Sequence, residues 1–198
     1  MKRNSSVSDV LKPLADAPLQ GYICNILQLA DILDWILHQV GRSRVYQTSF
    51  SISDEFLRRL HVIEKSGNIS DFFLILDNKA TNKTLKLWVF ISKVIQETYL
   101  ADNHSKVLLV ESERGDKVTV ITSQNLTRGN RMESGIISTD TDMFDTMKAS
   151  FMDIIKYHSI PFSEIMEQRM LENTEVLDII SDESHTLTAS FDLLRNHH

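Results

Sequence analysis

The stretch Phe72-Phe73-Leu74-Ile75-Leu76-Asp77 constrains the fold of this chain more than any other. It is an unbroken apolar run closed by an acid, without the polar alternation of a half-solvated strand, and it reads as a strand buried on both faces. Such a strand needs a sheet around it and covering elements on each side. The flanking segments supply them. Residues 24 to 40 carry Ile26, Leu27, Leu29, Ile32, Leu33, Trp35, Ile36 and Val40 at helical spacing and stop at Gly41, which predicts an amphipathic helix with Trp35 in the core. Residues 44 to 51 are β-rich. Ser53 or Asp54 then caps a helix through Glu64, with Phe56, Leu57, Leu60, Val62 and Ile63 on its buried side and Ser66-Gly67-Asn68 after it.

Residues 83 to 97 again have a helical pattern. Strands are expected at 106 to 111, 118 to 122 and 134 to 138, the first two joined by a polar turn that contains Gly115. Helices are expected at 144 to 157 behind Thr141 or Asp142, from Pro161 onward, and at 175 to 180. The alternation of strand and helix gives an α/β class. Residues 1 to 20, with two prolines and no sustained period, read as a loose arm or one short helix. Residues 21 to 160 read as the domain, and 161 to 198 as a helical extension.

The chain's 198 residues give room for one sizeable core. Hydrophobic residues at 42% and charged residues at 24% exclude a disordered or fibrous chain. No apolar run approaches the roughly 18 residues of a membrane span. The start, Met-Lys-Arg-Asn-Ser-Ser, leads into a polar stretch rather than a signal-peptide core, so a cytoplasmic location and no membrane partner are expected. Cys24 is the single cysteine, which excludes an internal disulfide and a cysteine zinc cluster and is read as a buried, inert thiol. A net charge of -6 argues against broad electrostatic attraction to nucleic acid, so any polyanion site must be local.

The chemistry is concentrated in residues 104 to 133, HSKVLLVESERGDKVTVITSQNLTRGNRME. Residues two apart on a strand share a face, so His104 and Lys106 are expected to project together at the start of one strand, and Ser123 with Asn125 at the end of its neighbour. That set offers a nucleophilic imidazole, a cation for phosphoryl oxygens and neutral donors for charge that grows in a transition state. Glu111 lies an odd number of positions from His104 and is expected to face away in a structural role. Arg128 and Arg131 form a basic pair that suits either a substrate phosphate or surface ion pairs. Asp77, Asp140 and Asp142 read as strand ends and caps rather than metal ligands, since nothing groups His and carboxylates at a spacing such as HExxH.

In this block His104, Lys106 and Glu111 keep the spacing of HxK(x)4D, Thr122-Ser123-Gln124-Asn125 stands where GSxN is expected, and a run ending in Glu133 follows. The block resembles the phospholipase D superfamily. The segments Asp31 to Trp35, Thr48 to Asp54 and Leu76-Asp77 resemble the half-domain of that fold in order, so the resemblance spans residues 25 to 157. Three features depart from the pattern: Glu111 for Asp, Thr122 for Gly, and a longer hairpin between the motifs.

The resemblance implies a phospholipase D-like half-domain, a mixed β-sheet flanked by helices, with a helical C-terminal segment. It also implies a metal-independent phosphodiesterase that needs no cofactor. In the family a histidine attacks phosphorus to give a phosphohistidine and a second histidine protonates the leaving oxygen, so two HxK motifs are required. This chain has one, which implies a C2 homodimer with His104 from both copies. Lys106, Ser123 and Asn125 would hold phosphoryl oxygens, and Glu133 would orient an imidazole. A nucleic-acid backbone is the expected substrate. The alternatives are an inactive phosphate- or nucleic-acid-binding module of the same fold, and a lipid or small-molecule phosphodiesterase.

Overall fold

A computed structural model describes residues 6–80, 87–127 and 129–172. Its centre is one eight-stranded mixed sheet in the order β1-β7-β6-β5-β2-β3-β4-β8. The strands are β1 (Leu19–Cys24), β2 (Ser43–Ser49), β3 (Ile69–Asp77), β4 (Glu97–Ala101), β5 (Val107–Ser112), β6 (Lys117–Thr122), β7 (Glu133–Ser138) and β8 (Ser159–Pro161). β2, β3 and β4 run parallel, and the other neighbours pair antiparallel. The helices are α1 (Leu29–Val40), α2 (Asp54–Lys65), α3 (Trp88–Val94), α4 (Thr141–His158) and α5 (Phe162–Glu172).

The α/β sandwich expected from the apolar run is present, and β3 is buried on both faces. Phe72, Leu74 and Leu76 join the larger core with residues of α1, α2, α3 and α5. Ile75, with Phe73 beside it, joins a smaller core that Phe144 and Phe151 of α4 close from the other side. Local chemistry fixes the helix starts. The Ser53 hydroxyl accepts the Phe56 N–H at 3.3 Å and the Asp140 carboxylate accepts the Met143 N–H at 2.7 Å, each satisfying an otherwise orphaned donor.

Several boundaries differ from the sequence expectation. The helix expected from residue 24 starts at Leu29, where the Asp31 carboxylate accepts the Gln28 N–H at 3.0 Å. Residues Leu19–Cys24 instead form β1, in which buried Tyr22 alternates with exposed Ile23. Cys24 and Trp35 are half-buried at the edge of the larger core. The segment read as a loose arm has Leu11 and Leu14 buried in that core, and its backbone is tied down by Leu14 N–H to Gln39 Oε1 at 2.8 Å. The helix expected to 97 ends at Val94, because Glu97–Ala101 pairs with β3. The helix expected from Pro161 onward begins at the next residue, Phe162, while Pro161 itself closes the edge strand β8. Phe162 and Met166 beyond it are buried in the larger core. The helix expected at 175 to 180 lies outside the described residues. Among the described residues no helix is long and apolar enough to cross a membrane.

β1 is held against the sheet by one close approach. Tyr22 pairs with Gly135 on β7, and a Cβ at Gly135 would stand 2.6 Å from the Tyr22 ring. Gly135→Ala is therefore expected to lower unfolding free energy by about 1–3 kcal/mol through overpacking. Denaturant titration checks this, and adding Tyr22→Leu to the alanine variant is expected to recover part of the loss.

Candidate active site

The two motif segments meet at one end of the sheet, and the end of β2 lies between them. The N–H of Thr122, the last residue of β6, donates to the Lys106 carbonyl at 3.1 Å, which extends the ladder one step ahead of β5. His104 and Lys106 stand just ahead of β5 and Ser123 and Asn125 just past β6, rather than inside the strands as expected. The difference has a cause: the side chains of Asn103, Ser105 and Thr48 take over the backbone groups that a longer ladder would have satisfied. Thr48 Oγ1 accepts the Val107 N–H at 2.9 Å and the Ser105 hydroxyl at 2.9 Å. Asn103, buried at 6% exposure, accepts the Ser105 N–H at 3.2 Å and donates to the Ser49 carbonyl at 3.2 Å. Its own N–H donates to Asp77 at 3.0 Å. Asp77 also accepts the Lys79 N–H, so its role is to anchor the His104 loop from beneath.

His104 is exposed, and its ring packs on Phe50 with centroids 5.3 Å apart. Lys106 Nζ donates to the His104 carbonyl at 2.8 Å, which folds the ammonium back onto the His104 backbone. Asn125 Oδ1 accepts the Phe50 N–H at 3.2 Å. That fixes the amide and leaves its donor atom Nδ2 without a partner among the described residues. Ser123 donates its hydroxyl proton to Glu133 and accepts the Ser134 N–H at 3.0 Å. Ser123 and Asn125 thus serve different neighbours and do not act as one paired face.

Arg131 is exposed and borders a small polar recess with Gln28, Ser123, Asn125, Thr127 and Glu133. Arg128 lies outside the described residues. Among those described, neither Lys106 nor Arg131 has an acidic partner, whereas Arg59, Lys117 and Lys148 pair with Asp31, Asp145 and Glu111. Positive charge is therefore available locally in an acidic chain, the condition its net charge imposes on a polyanion site.

The three departures from the family pattern have structural explanations. Thr122 donates to the Ser134 carbonyl at 2.9 Å and accepts from Tyr22 at 3.0 Å and from the Gln124 N–H at 3.2 Å. Its hydroxyl thus ties together three segments, and no positive φ occurs at any non-glycine residue described. Burial pushes the Tyr22 hydroxyl up against the opposing bond to Thr122, so it stays protonated as a donor at neutral pH. Glu111 bonds Lys148 of α4 at 2.5 Å, away from the motif ends. The longer hairpin turns at the opposite end of β5 and β6, where the Ser112 hydroxyl accepts the Asp116 N–H at 2.9 Å and Gly115 takes φ +93°.

Phe50, Ser49, Asn103 and Gln124 escaped sequence reasoning as members of the site. Gln124 is buried and donates to the Leu27 carbonyl at 3.2 Å, tying the second motif to the start of α1. The one available signal was the polar run after β2, where Ser, Phe and Ser replace the apolar pattern.

No family model matches the chain, and no curated protein is similar to it in sequence. Solved structures are similar in fold. NucT from Helicobacter pylori matches with a TM-score of 0.54 at 17% identity, over 73% of this chain and 99% of its own. The phospholipase D family member Nuc from Salmonella typhimurium matches with a TM-score of 0.52 at 13% identity, over 73% and 98%. Phosphatidylserine synthase from Haemophilus influenzae matches with a TM-score of 0.54 at 15% identity, over 89% of this chain and 46% of its own. The eight-stranded mixed sheet with helices on both faces is a fold that the chain shares with these solved structures, among them a phospholipase D family member.

Proposed function

We propose that the chain is a phosphodiesterase that acts through a phosphohistidine, as a homodimer, on a nucleic-acid backbone. The observation that carries this reading is the convergence of His104, Lys106, Ser123, Asn125 and Glu133 on one end of the sheet, with a single imidazole among them. One nitrogen of His104 attacks phosphorus and the bond to the leaving oxygen breaks. The leaving oxygen takes a proton from His104 of the second copy. Water then attacks phosphorus, loses a proton to that second imidazole, and the P–N bond breaks to release the product. Lys106 and the free Nδ2 of Asn125 hold the non-bridging oxygens, where charge accumulates, and Arg131 meets a neighbouring phosphate.

Within one chain no hydrogen bond holds the His104 ring among the described residues. Glu133 of the second copy is the carboxylate assigned to accept from it, which fixes the tautomer. A surface next to the site suits that second copy. On the sheet face that carries Ser123 and Ser134, Ile23, Ile121 and Ile136 are 75%, 39% and 51% exposed; Ile121 and Ile136 are cross-strand partners on β6 and β7, and Ile23 on β1 stands opposite Ser134, diagonal to Ile136. A self-complementary apolar face continuous with the site brings the two half-sites together when it is covered.

In this reading, His104→Ala lowers turnover of a bis-nitrophenyl phosphodiester by at least about a thousandfold, while excess EDTA leaves the wild type unchanged. A binding module would show no turnover in either form. Equilibrating wild type with an equal amount of His104→Ala chains is expected to leave roughly half the activity of the wild type added, because only dimers with two wild-type chains work. Unchanged activity would mean that each chain works alone. Ile136→Lys is expected to give a one-chain mass by light scattering together with loss of turnover. A monomer of full activity would overturn the composite site.

A further inference from the structure

An imidazole that attacks phosphorus must present one nitrogen along a narrow line, and side chains are held to such lines by packing or hydrogen bonds. His104 is exposed, and within the chain its ring has no hydrogen-bond partner among the described residues. The contact that it does make is with Phe50, at 5.3 Å between centroids and 58° between planes, a tilted arrangement within the favourable range for ring pairs. Phe50 is half-buried, and its backbone is held from both sides. Its N–H donates to Asn125 Oδ1 at 3.2 Å, and the carbonyl of the preceding residue, Ser49, accepts Asn103 Nδ2 at 3.2 Å. One residue therefore touches the candidate nucleophile with its ring and the candidate phosphate donor with its backbone.

We propose that Phe50 is a positioning residue, whose ring sets the orientation of the His104 imidazole and whose N–H sets the Asn125 amide. The proposal rests on the phosphohistidine reading for its kinetic consequence, but the ring contact itself does not. The Asn125 bond is made by backbone and survives substitution of the side chain, so the two roles separate. Phe50→Leu keeps an apolar side chain and the N–H but removes the ring face. Phe50→Tyr keeps both.

The test uses the full chain and bis-nitrophenyl phosphodiester. Phe50→Leu is expected to lower kcat about ten- to a hundredfold with KM within about twofold, since misorientation is felt in the transition state rather than in binding. Phe50→Tyr is expected to stay within about threefold of wild type in kcat. In the wild type, the His104 ring protons are expected upfield of their free-histidine positions through the Phe50 ring current, and Phe50→Leu returns them. Wild-type His104 resonances at free-histidine positions would overturn the proposal, even if the leucine variant fails to fold. So would equal kcat in a folded Phe50→Leu. Turnover retained in His104→Ala would instead sink the phosphohistidine reading and leave the ring contact to be judged by its resonances alone.

Discussion

The candidate site depends on how the end of β2 is anchored. Ser49 is fully buried, and its hydroxyl accepts the Leu126 N–H at 3.0 Å while its carbonyl accepts from Asn103. These bonds reach the loop before β5 on one side and the loop after β6 on the other. Each polar group involved would cost about 1–3 kcal/mol if left buried and unpaired. The arrangement is therefore cooperative: Ser49 satisfies polar groups of both the His104 loop and the Asn125 loop, so neither can shift without straining the anchor of the other.

Much of this was legible in the sequence because it depends on periodicity. The β3 run reported a doubly covered strand, and the period-3.6 apolar spacing of α2 reported its buried face, with Phe56, Leu57, Leu60 and Ile63 buried, although Val62, expected with them, is exposed. Periodicity failed where two periods overlap. Residues 19 to 24 and 97 to 101 adjoin helical patterns, and their strand character comes from pairing with β7 and β3, partners distant in sequence. Leu11 and Leu14 were hidden for a similar reason, since burial of an irregular segment leaves no repeat to read.

Within the site, the residues that carry charge or a nucleophile stood out by type and order. Those that hold them did not. Asn103 and Ser49 are common loop residues whose importance lies in being buried, and no property of a single chain's letters reports burial of a polar side chain outside a regular element. Thr122 shows the converse. It looks like a defect against the expected glycine, yet three hydrogen bonds place it as a tie between β1, β7 and the second motif.

The turn between β5 and β6 stands apart from all of this. Two strands of six residues separate it from the motif ends, a distance of about 17–20 Å; Ser112, Asp116 and Gly115 close it, and the Glu113 N–H to the Arg42 carbonyl at 2.9 Å and Arg114 to the Gln39 carbonyl at 3.1 Å tie it to the end of α1. Chain length added there changes a tip remote from the motifs, whereas one residue added between His104 and Val107 would reverse which face of the sheet the first motif addresses. The hairpin tip is accordingly the natural attachment point for a fluorophore or an affinity peptide, and the natural place for related chains to differ in length while keeping the same chemistry.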